Sequence, residues 1–241
     1  MQRVLITGAG RGIGLEVARQ YAERGDRVLA GCRNIERAPE LRRLVEAHGN
    51  RMVVLPLEVA DGNSIAAAVR RAHAEVDGLD VLINNAAINP GDAQTDGPDG
   101  PDGQPTLDAA RIMEVLRVNA VAPLIVAQSF MALLRAGANP RVVNISSGAG
   151  SLTYKTEGGD YSYAASKAAL NMVTRTFAFN VRGEGVTAVM IDPGWVKTDM
   201  GGLDAQLEPE ESARGLLAVI DGLTAHDAGR YLSYDGSEVP W

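Results

Sequence analysis

Tyr163 and Lys167 stand four residues apart in the run Tyr161-Ser162-Tyr163-Ala164-Ala165-Ser166-Lys167. On a helix that spacing puts both side chains on one face. A free phenol titrates near pH ~10, too high for easy proton exchange around neutrality. An adjacent ammonium favours the phenolate and lowers that value. The pair therefore reads as a tuned acid–base group, able to protonate an oxygen that gains negative charge or to deprotonate an alcohol. Tyr161 lacks such a partner, because the residue four further on is Ala165. The spacing alone is ordinary helix decoration, and what lies upstream gives it meaning. Val142-Val143-Asn144-Ile145-Ser146-Ser147 is a strand-like run ending in two hydroxyls, which can bind and polarise a carbonyl. Asn119 sits inside the helix-like run 115–120, where an amide has modest propensity and asks for a purpose. Holding a water behind Lys167 is one purpose; a benign, partly buried amide is the alternative.

A second constellation is suited to binding. The strand-like segment 3–7 runs into Gly8-Ala9-Gly10-Arg11-Gly12-Ile13-Gly14, and Leu15, Val17, Ala18, Tyr21 and Ala22 follow at helical spacing. A strand, a glycine turn and a helix in this order make a dinucleotide pyrophosphate site. The glycines let backbone approach the phosphates, and the helix N-terminus offers free N–H groups and partial positive charge. An NAD site usually carries an acidic residue near the end of the next strand, to bind the ribose 2′-hydroxyl. Here that region reads Ala30-Gly31-Cys32-Arg33-Asn34, with no carboxylate. A guanidinium holds the 2′-phosphate that a carboxylate would repel. Arg33, with Arg11 as a second positive charge, favours NADP(H) over NAD(H); solvated surface arginines are the plain alternative.

Three further segments lie where such a cofactor would pass. In Leu57-Glu58-Val59, Glu58 can accept a hydrogen bond from the adenine amino group. In Asn84-Asn85-Ala86-Ala87, small residues let backbone approach the ribose, and the amides can cross-link neighbouring strands or cap a strand end. In Ile191-Asp192-Pro193-Gly194-Trp195-Val196-Lys197-Thr198, Pro193 and Gly194 turn the chain and Thr198 can hydrogen-bond a nicotinamide carboxamide. Trp195 either walls a substrate pocket or packs in the core.

These residues need a frame. Short apolar runs at 3–7, 27–31, 52–57, 79–83, 140–145, 186–191 and 229–233 predict strands, and helical patterns cover 12–24, 36–48, 62–76, 106–136, 161–183 and 208–222. Runs such as VLIT, VLIN and VVNI are apolar almost throughout, as in strands buried on both faces. The alternation predicts βαβ units with right-handed crossovers. The expected fold is a single α/β domain over 1–241, a Rossmann-type doubly wound parallel sheet of seven strands with helices on both faces. Residues 89–105, NPGDAQTDGPDGPDGQP, break the rhythm and predict a loop insertion at the carboxyl edge of the sheet, either an active-site flap or a tolerated surface insertion. Residues 199–210 predict a substrate lid.

A length of 241 residues suits one such domain and leaves little room for a second. The formal charge of −7, with no basic block, disfavours a nucleic-acid partner. The single cysteine, Cys32, excludes an internal disulfide and a cysteine-based metal cluster, and no metal site is expected. The opening MQRVLITGAG is cut by glycines and reads as neither signal peptide nor membrane span. A cytoplasmic protein acting on a small molecule is the expectation.

TGAGRGIG, NNAA, the Asn of VNA, ISS, YAASK and PGWVKT, in that order over nearly the whole chain, resemble a classical short-chain dehydrogenase/reductase. The resemblance implies hydride transfer between NADP(H) and a carbonyl or secondary alcohol. It implies a tetrad of Asn119 (proton relay through water), Ser147 (carbonyl binding), Tyr163 (acid and base) and Lys167 (ribose binding and lowering of the tyrosine pKa). The implied cofactor contacts are Gly8, Gly10, Arg11, Gly12, Ile13, Gly14, Arg33, Glu58, Val59, Asn85, Ala86, Tyr163, Lys167, Pro193, Gly194, Val196 and Thr198. NNAA replaces the more usual NNAG. The interval from Ser147 to Tyr163 is longer than in many members, which leaves Ser146 and Ser151 as alternative carbonyl binders. That interval, with CRN, PGWVKTDM and the ending DGSEVPW, is similar to the C-factor and sniffer-type carbonyl reductase branch. The C-factor likeness raises a rival, a nucleotide-binding regulator with little turnover. In this family, long helices such as 106–136 and 161–183 resemble elements of a dimer or tetramer interface, which implies a homo-oligomer.

Overall fold

The computed structural model describes residues 1–91, 106–158 and 160–241. Seven strands, β1 (Arg3–Thr7), β2 (Arg27–Cys32), β3 (Met52–Pro56), β4 (Val81–Asn84), β5 (Arg141–Ile145), β6 (Thr187–Asp192) and β7 (Tyr231–Ser233), form one sheet. Their order is β3-β2-β1-β4-β5-β6-β7, with every pairing parallel. This is the doubly wound arrangement expected, and the order reverses between β1 and β4.

The apolar runs become strands because each residue has a helix layer to bury it. Val4 and Ile6 point to one face, against α1 (Gly12–Glu23), α2 (Pro39–His48) and α8 (Pro209–Gly222). Leu5 points to the other, where Ile65 and Ala72 of α3 (Gly62–Glu75), Val126 of α5 (Ala122–Ser129) and Phe177 of α7 (Tyr161–Val181) pack. Burial of a Leu or Ile side chain contributes about 1.5–3 kcal/mol, so these two clusters supply most of the drive to fold.

The largest departure from expectation is in 106–136, read as one helix. The chain instead forms α4 (Ala109–Leu116), a π turn at Arg117–Val121, α5, and a short α6 (Met131–Arg135). Asp108 caps α4, accepting the Ala110 and Arg111 N–H groups at 2.9 and 3.2 Å. The π turn has a physical cause. Pro123 has no N–H to return to the Asn119 carbonyl, so the regular ladder cannot continue there. The Ala122 N–H reaches back to Arg117 instead. Most of the 89–105 loop lies outside the described residues.

Candidate active site

Glycine loop and catalytic candidates meet at one edge of the sheet. The loop follows β1, and Ser147 follows β5, with β4 between them. Two strand spacings put the two constellations about 10 Å apart.

The glycine loop is a cradle that side chains would fill. Gly8 (φ +68°) and Gly12 (φ +55°) adopt left-handed backbone. A Cβ on Gly8 would stand 2.9 Å from the Ala86 Cα, and one on Gly14 2.5 Å from the Gly8 carbonyl oxygen. Arg11 precedes α1 and its side chain makes no capping bond, so the first N–H groups of that helix face outward. Asn85 braces the loop from β4, donating to the Thr7 and Gly8 carbonyls at 3.0 and 3.2 Å. Thr7 Oγ1 returns the bond by accepting from the Asn85 and Ala86 N–H groups. Asn84 donates to Asn144 at 2.8 Å, the cross-strand link that its position suggested. A pyrophosphate therefore has both the room and the donors it needs.

The two arginines face the solvent beside this cradle. Arg33 lies 3.5 Å from Glu58, and Arg11 pairs with Asp199 at 2.8 Å. Glu58 also accepts the Ala60 N–H at 3.2 Å. Both ion pairs are exposed, so each is weak and open to exchange for a stronger anion. Among the remaining cofactor candidates, Val59 and Val196 bury their side chains, which leaves main chain to touch a ligand. Ile13 packs against the core. Thr198 lies against the loop, its methyl 3.3 Å from the point where a Gly12 side chain would begin, and accepts the Gly201 N–H at 3.1 Å. Pro193 and Gly194 form the turn after β6, Gly194 at φ +78°. Trp195 does not enter the core. It is half exposed, and its ring N–H donates to the Gly201 carbonyl at 2.8 Å. That bond and the Lys197–Leu207 backbone bond of 2.9 Å root the 199–210 segment.

The catalytic candidates converge at the start of α7. The Tyr163 phenol stands beside the Ser147 side chain, which favours its ionised form. The Lys167 ammonium sits 5.5 Å from the Tyr163 ring centre and donates to the Ile145 carbonyl at 2.8 Å, fully buried. Ser146 is committed elsewhere, donating to Asn171 at 2.6 Å. Ser151 accepts the Tyr154 N–H at 3.2 Å. Of the three serines considered, Ser147 is the one whose hydroxyl meets the tyrosine. Asn119 uses its amide on main chain and α7: it accepts the Ile88 N–H and donates to the Ile88 carbonyl, both at 2.9 Å, and donates to Ser166 at 3.1 Å. Ser166 in turn donates to the Tyr163 carbonyl at 2.7 Å. The π turn is what aims Asn119 at this junction.

Burial governs both titrating groups. It pushes Tyr163 up to about 12, against the Ser147 hydrogen bond, and pulls Lys167 down to about 8, against Asp192. In the chain by itself it is burial, and not the neighbouring Lys167, that sets the direction of the Tyr163 shift. Lys167 also has a measurable consequence for stability. A free lysine titrates near ~10.4, so between pH 8 and 10 the unfolded chain holds a proton that the folded chain has shed. The penalty is full below pH 8, and stability rises as pH climbs through that window. Above pH 10 the raised Tyr163 and Tyr231, each at about 12, act oppositely. Urea unfolding of wild type and Lys167→Met should therefore diverge by roughly 2 kcal/mol between pH 7 and 10, the wild type gaining. Parallel curves would mean that Lys167 is not depressed.

Two site residues escaped sequence reasoning. Tyr231 donates its hydroxyl to the Ser147 carbonyl. Asp192 sits half buried at the end of β6, with its pKa raised by desolvation. A charged residue ending the apolar run 186–191 was the available signal for Asp192; nothing local marked Tyr231.

Fold and site together define a doubly wound α/β domain in which a glycine loop and a serine–tyrosine–lysine cluster share one sheet edge. The chain belongs to the short-chain dehydrogenase family, whose model matches residues 2–208. It is 43% identical over 168 residues to the C-signal of Myxococcus xanthus, spanning 68% of this chain and 93% of that protein. It is similar to the NADPH-bound carbonyl reductase from chicken fatty liver, with TM-score 0.88 and 36% identity over 100% of this chain and 99% of that one. It is also similar to the carbonyl reductase Sniffer of D. melanogaster, with TM-score 0.90 and 29% identity over 100% of both chains. Among the described residues, no helix is long and apolar enough to cross a membrane.

Proposed function

We propose that this chain is an NADP(H)-dependent oxidoreductase that reduces a carbonyl, or oxidises the matching secondary alcohol, with Tyr163 as general acid and base. The observation that carries the reading is the Lys167 ammonium 5.5 Å from the Tyr163 ring, with the Ser147 side chain beside the phenol. The bound nicotinamide would supply or accept the hydride. Ser147 would hold the carbonyl oxygen beside the Tyr163 hydroxyl, and Tyr163 would pass its proton to that oxygen during reduction. Lys167 would reach the nicotinamide ribose. Asn119, through Ser166, would keep the first turn of α7 in register, alongside the water relay that the family implies. Gly8–Gly14 and the N-terminus of α1 would hold the pyrophosphate, and Arg33 and Arg11 the 2′-phosphate, leaving Asp199 to solvent and Glu58 to the adenine amino group. The 199–210 segment would act as the substrate lid. The likeness to NADPH-bound carbonyl reductase supports the cofactor and the substrate class.

NADPH consumption measured with a panel of aldehydes, ketones and quinones tests this reading. Cofactor binding without turnover would favour the second one, a nucleotide-binding regulator, which rests on the likeness to the C-signal. Arg33→Asp should lower the NADPH-to-NADH preference in kcat/KM by about tenfold to a hundredfold, since one charge-assisted contact is replaced by repulsion. An unchanged ratio would free Arg33 from its assigned contact. A homodimer or homotetramer and a cytoplasmic location complete the proposal. Met113 of α4, Ile125 of α5 and Met172 of α7 are exposed and offer an apolar face to a second copy.

A further inference from the structure

Asp192 is a half-buried carboxylate that the proposed chemistry does not use. It ends β6, just after Ile191, whose carbonyl takes the Ser146 N–H at 2.8 Å. Its Oδ1 accepts the Gly194 N–H at 3.0 Å. Across the sheet edge, the same carboxylate stands against Gly148, its Oδ2 3.3 Å from the point where a Gly148 side chain would begin, and the Gly148 N–H is among the groups that stabilise its charge. The first bond is local, an ordinary turn within Asp192–Gly194. The second contact crosses to another strand's loop. One side chain thus ties the residue after Ser147 to the turn that leads to Thr198. Both turns lie beyond their strand ends, where sheet pairing no longer fixes them: β5 and β6 pair as far as Ile145 and Ile191.

We propose that Asp192 is a positioning residue, clamping the Ser147–Gly148 turn to the Pro193–Gly194 turn so that the carbonyl and the nicotinamide are held at a fixed separation. The clamp rests on the oxidoreductase reading for its purpose, but not for its existence. The groups facing the carboxylate are Tyr163 and Lys167 on α7, Tyr231 on β7 and Asp235 just beyond it. Its negative charge opposes the Tyr163 phenolate and favours the Lys167 ammonium. Asp192→Asn changes two things at once. An amide has one acceptor oxygen where the carboxylate has two, so one glycine N–H loses its partner. A charge that adds to burial in raising Tyr163 is also removed. Asp192→Glu keeps the charge and alters only the reach.

The test combines three measurements on the full chain. Amide hydrogen exchange should accelerate at least about tenfold at whichever of Gly148 and Gly194 loses its acceptor in Asp192→Asn, while the β5 and β6 amides keep their wild-type rates. NADPH turnover with a carbonyl substrate should show kcat lowered by roughly ten- to a hundredfold while the NADPH Kd stays within threefold, because the loss is in alignment. Phenolate absorbance of the cofactor-free chain, taken as the difference from the matching Tyr163→Phe protein, should move to lower pH in Asp192→Asn and stay in place in Asp192→Glu. Wild-type exchange at both glycines, kcat within twofold of wild type, or a fall in kcat together with a rise in the NADPH Kd and a lost melting transition would each overturn the clamp. Should the wild type bind NADPH and turn over no carbonyl, the oxidoreductase reading falls. Hydrogen exchange and phenolate titration then still decide whether the carboxylate holds the two turns.

Discussion

Tyr163→Phe is expected to lower kcat by about three orders of magnitude with NADPH affinity changed less than threefold, within the range lost when a positioned acid–base group is removed. The ring remains, so the packing against α7 and the Lys167 stem persists; only the hydroxyl is lost. Ser147 keeps a partner, because its oxygen still accepts the Ala149 N–H at 3.2 Å. Stability should therefore stay close to wild type, and with Tyr163 half buried no large cavity opens. Steady-state kinetics in both directions, with cofactor fluorescence for binding, separate chemistry from affinity. A variant that retains a tenth of wild-type activity would show that the proton comes from elsewhere.

Gly14→Ala is expected to destabilise the chain by roughly 2–3 kcal/mol and to abolish measurable NADPH binding, because overpacking at a backbone contact cannot relax cheaply. The new methyl would stand 2.3 Å from the Asn85 amide nitrogen and 2.5 Å from the Gly8 carbonyl oxygen. Asn85 can swing only by giving up its bonds to Thr7 and Gly8, which hold the loop to β4. The other escape is for α1 to lift off the sheet and take its N-terminus away from the phosphates. Gly62→Ala is the matched control, since nothing lies within 4 Å of its added carbon at the start of α3. Thermal melts and NADPH titration of the two variants give the comparison. A Gly14→Ala protein that melts and binds like Gly62→Ala would mean that the cradle tolerates a side chain.

Much of this architecture is legible in the chain because its signals are local. Continuous apolar runs such as Val142–Ile145 can be satisfied only between two helix layers, so strand count, parallel sense and helix placement follow from period and length. The glycine loop is equally local: strand, turn and helix adjoin in sequence. What escaped depends on residues far apart. Helix 106–136 reads as continuous until Pro123 is set against the carbonyl of Asn119, and only the fold shows that the irregularity aims Asn119 at Ile88 and Ser166. Sequence left three serines open; the commitment of Ser146 to Asn171 separates them. The partners of Arg11 and Arg33 are Asp199 and Glu58, one 188 residues away, and no local pattern announces such a pair. The burial that raises Tyr163 in the chain by itself escaped for a different reason. Spacing reports which groups are neighbours, while the balance of burial against charge is set by the whole surrounding wall.

The wide turn at 117–121 fixes an angular phase. A regular helix advances about 100° per residue, so removing one residue there would swing α4 by about that angle around the axis it shares with α5. Met113, now turned outward, would leave the exposed face, and Asn119 would sweep away from the strand ends. A single-residue deletion at this point would thus be felt in two places at once, at the reacting centre and on the outer surface.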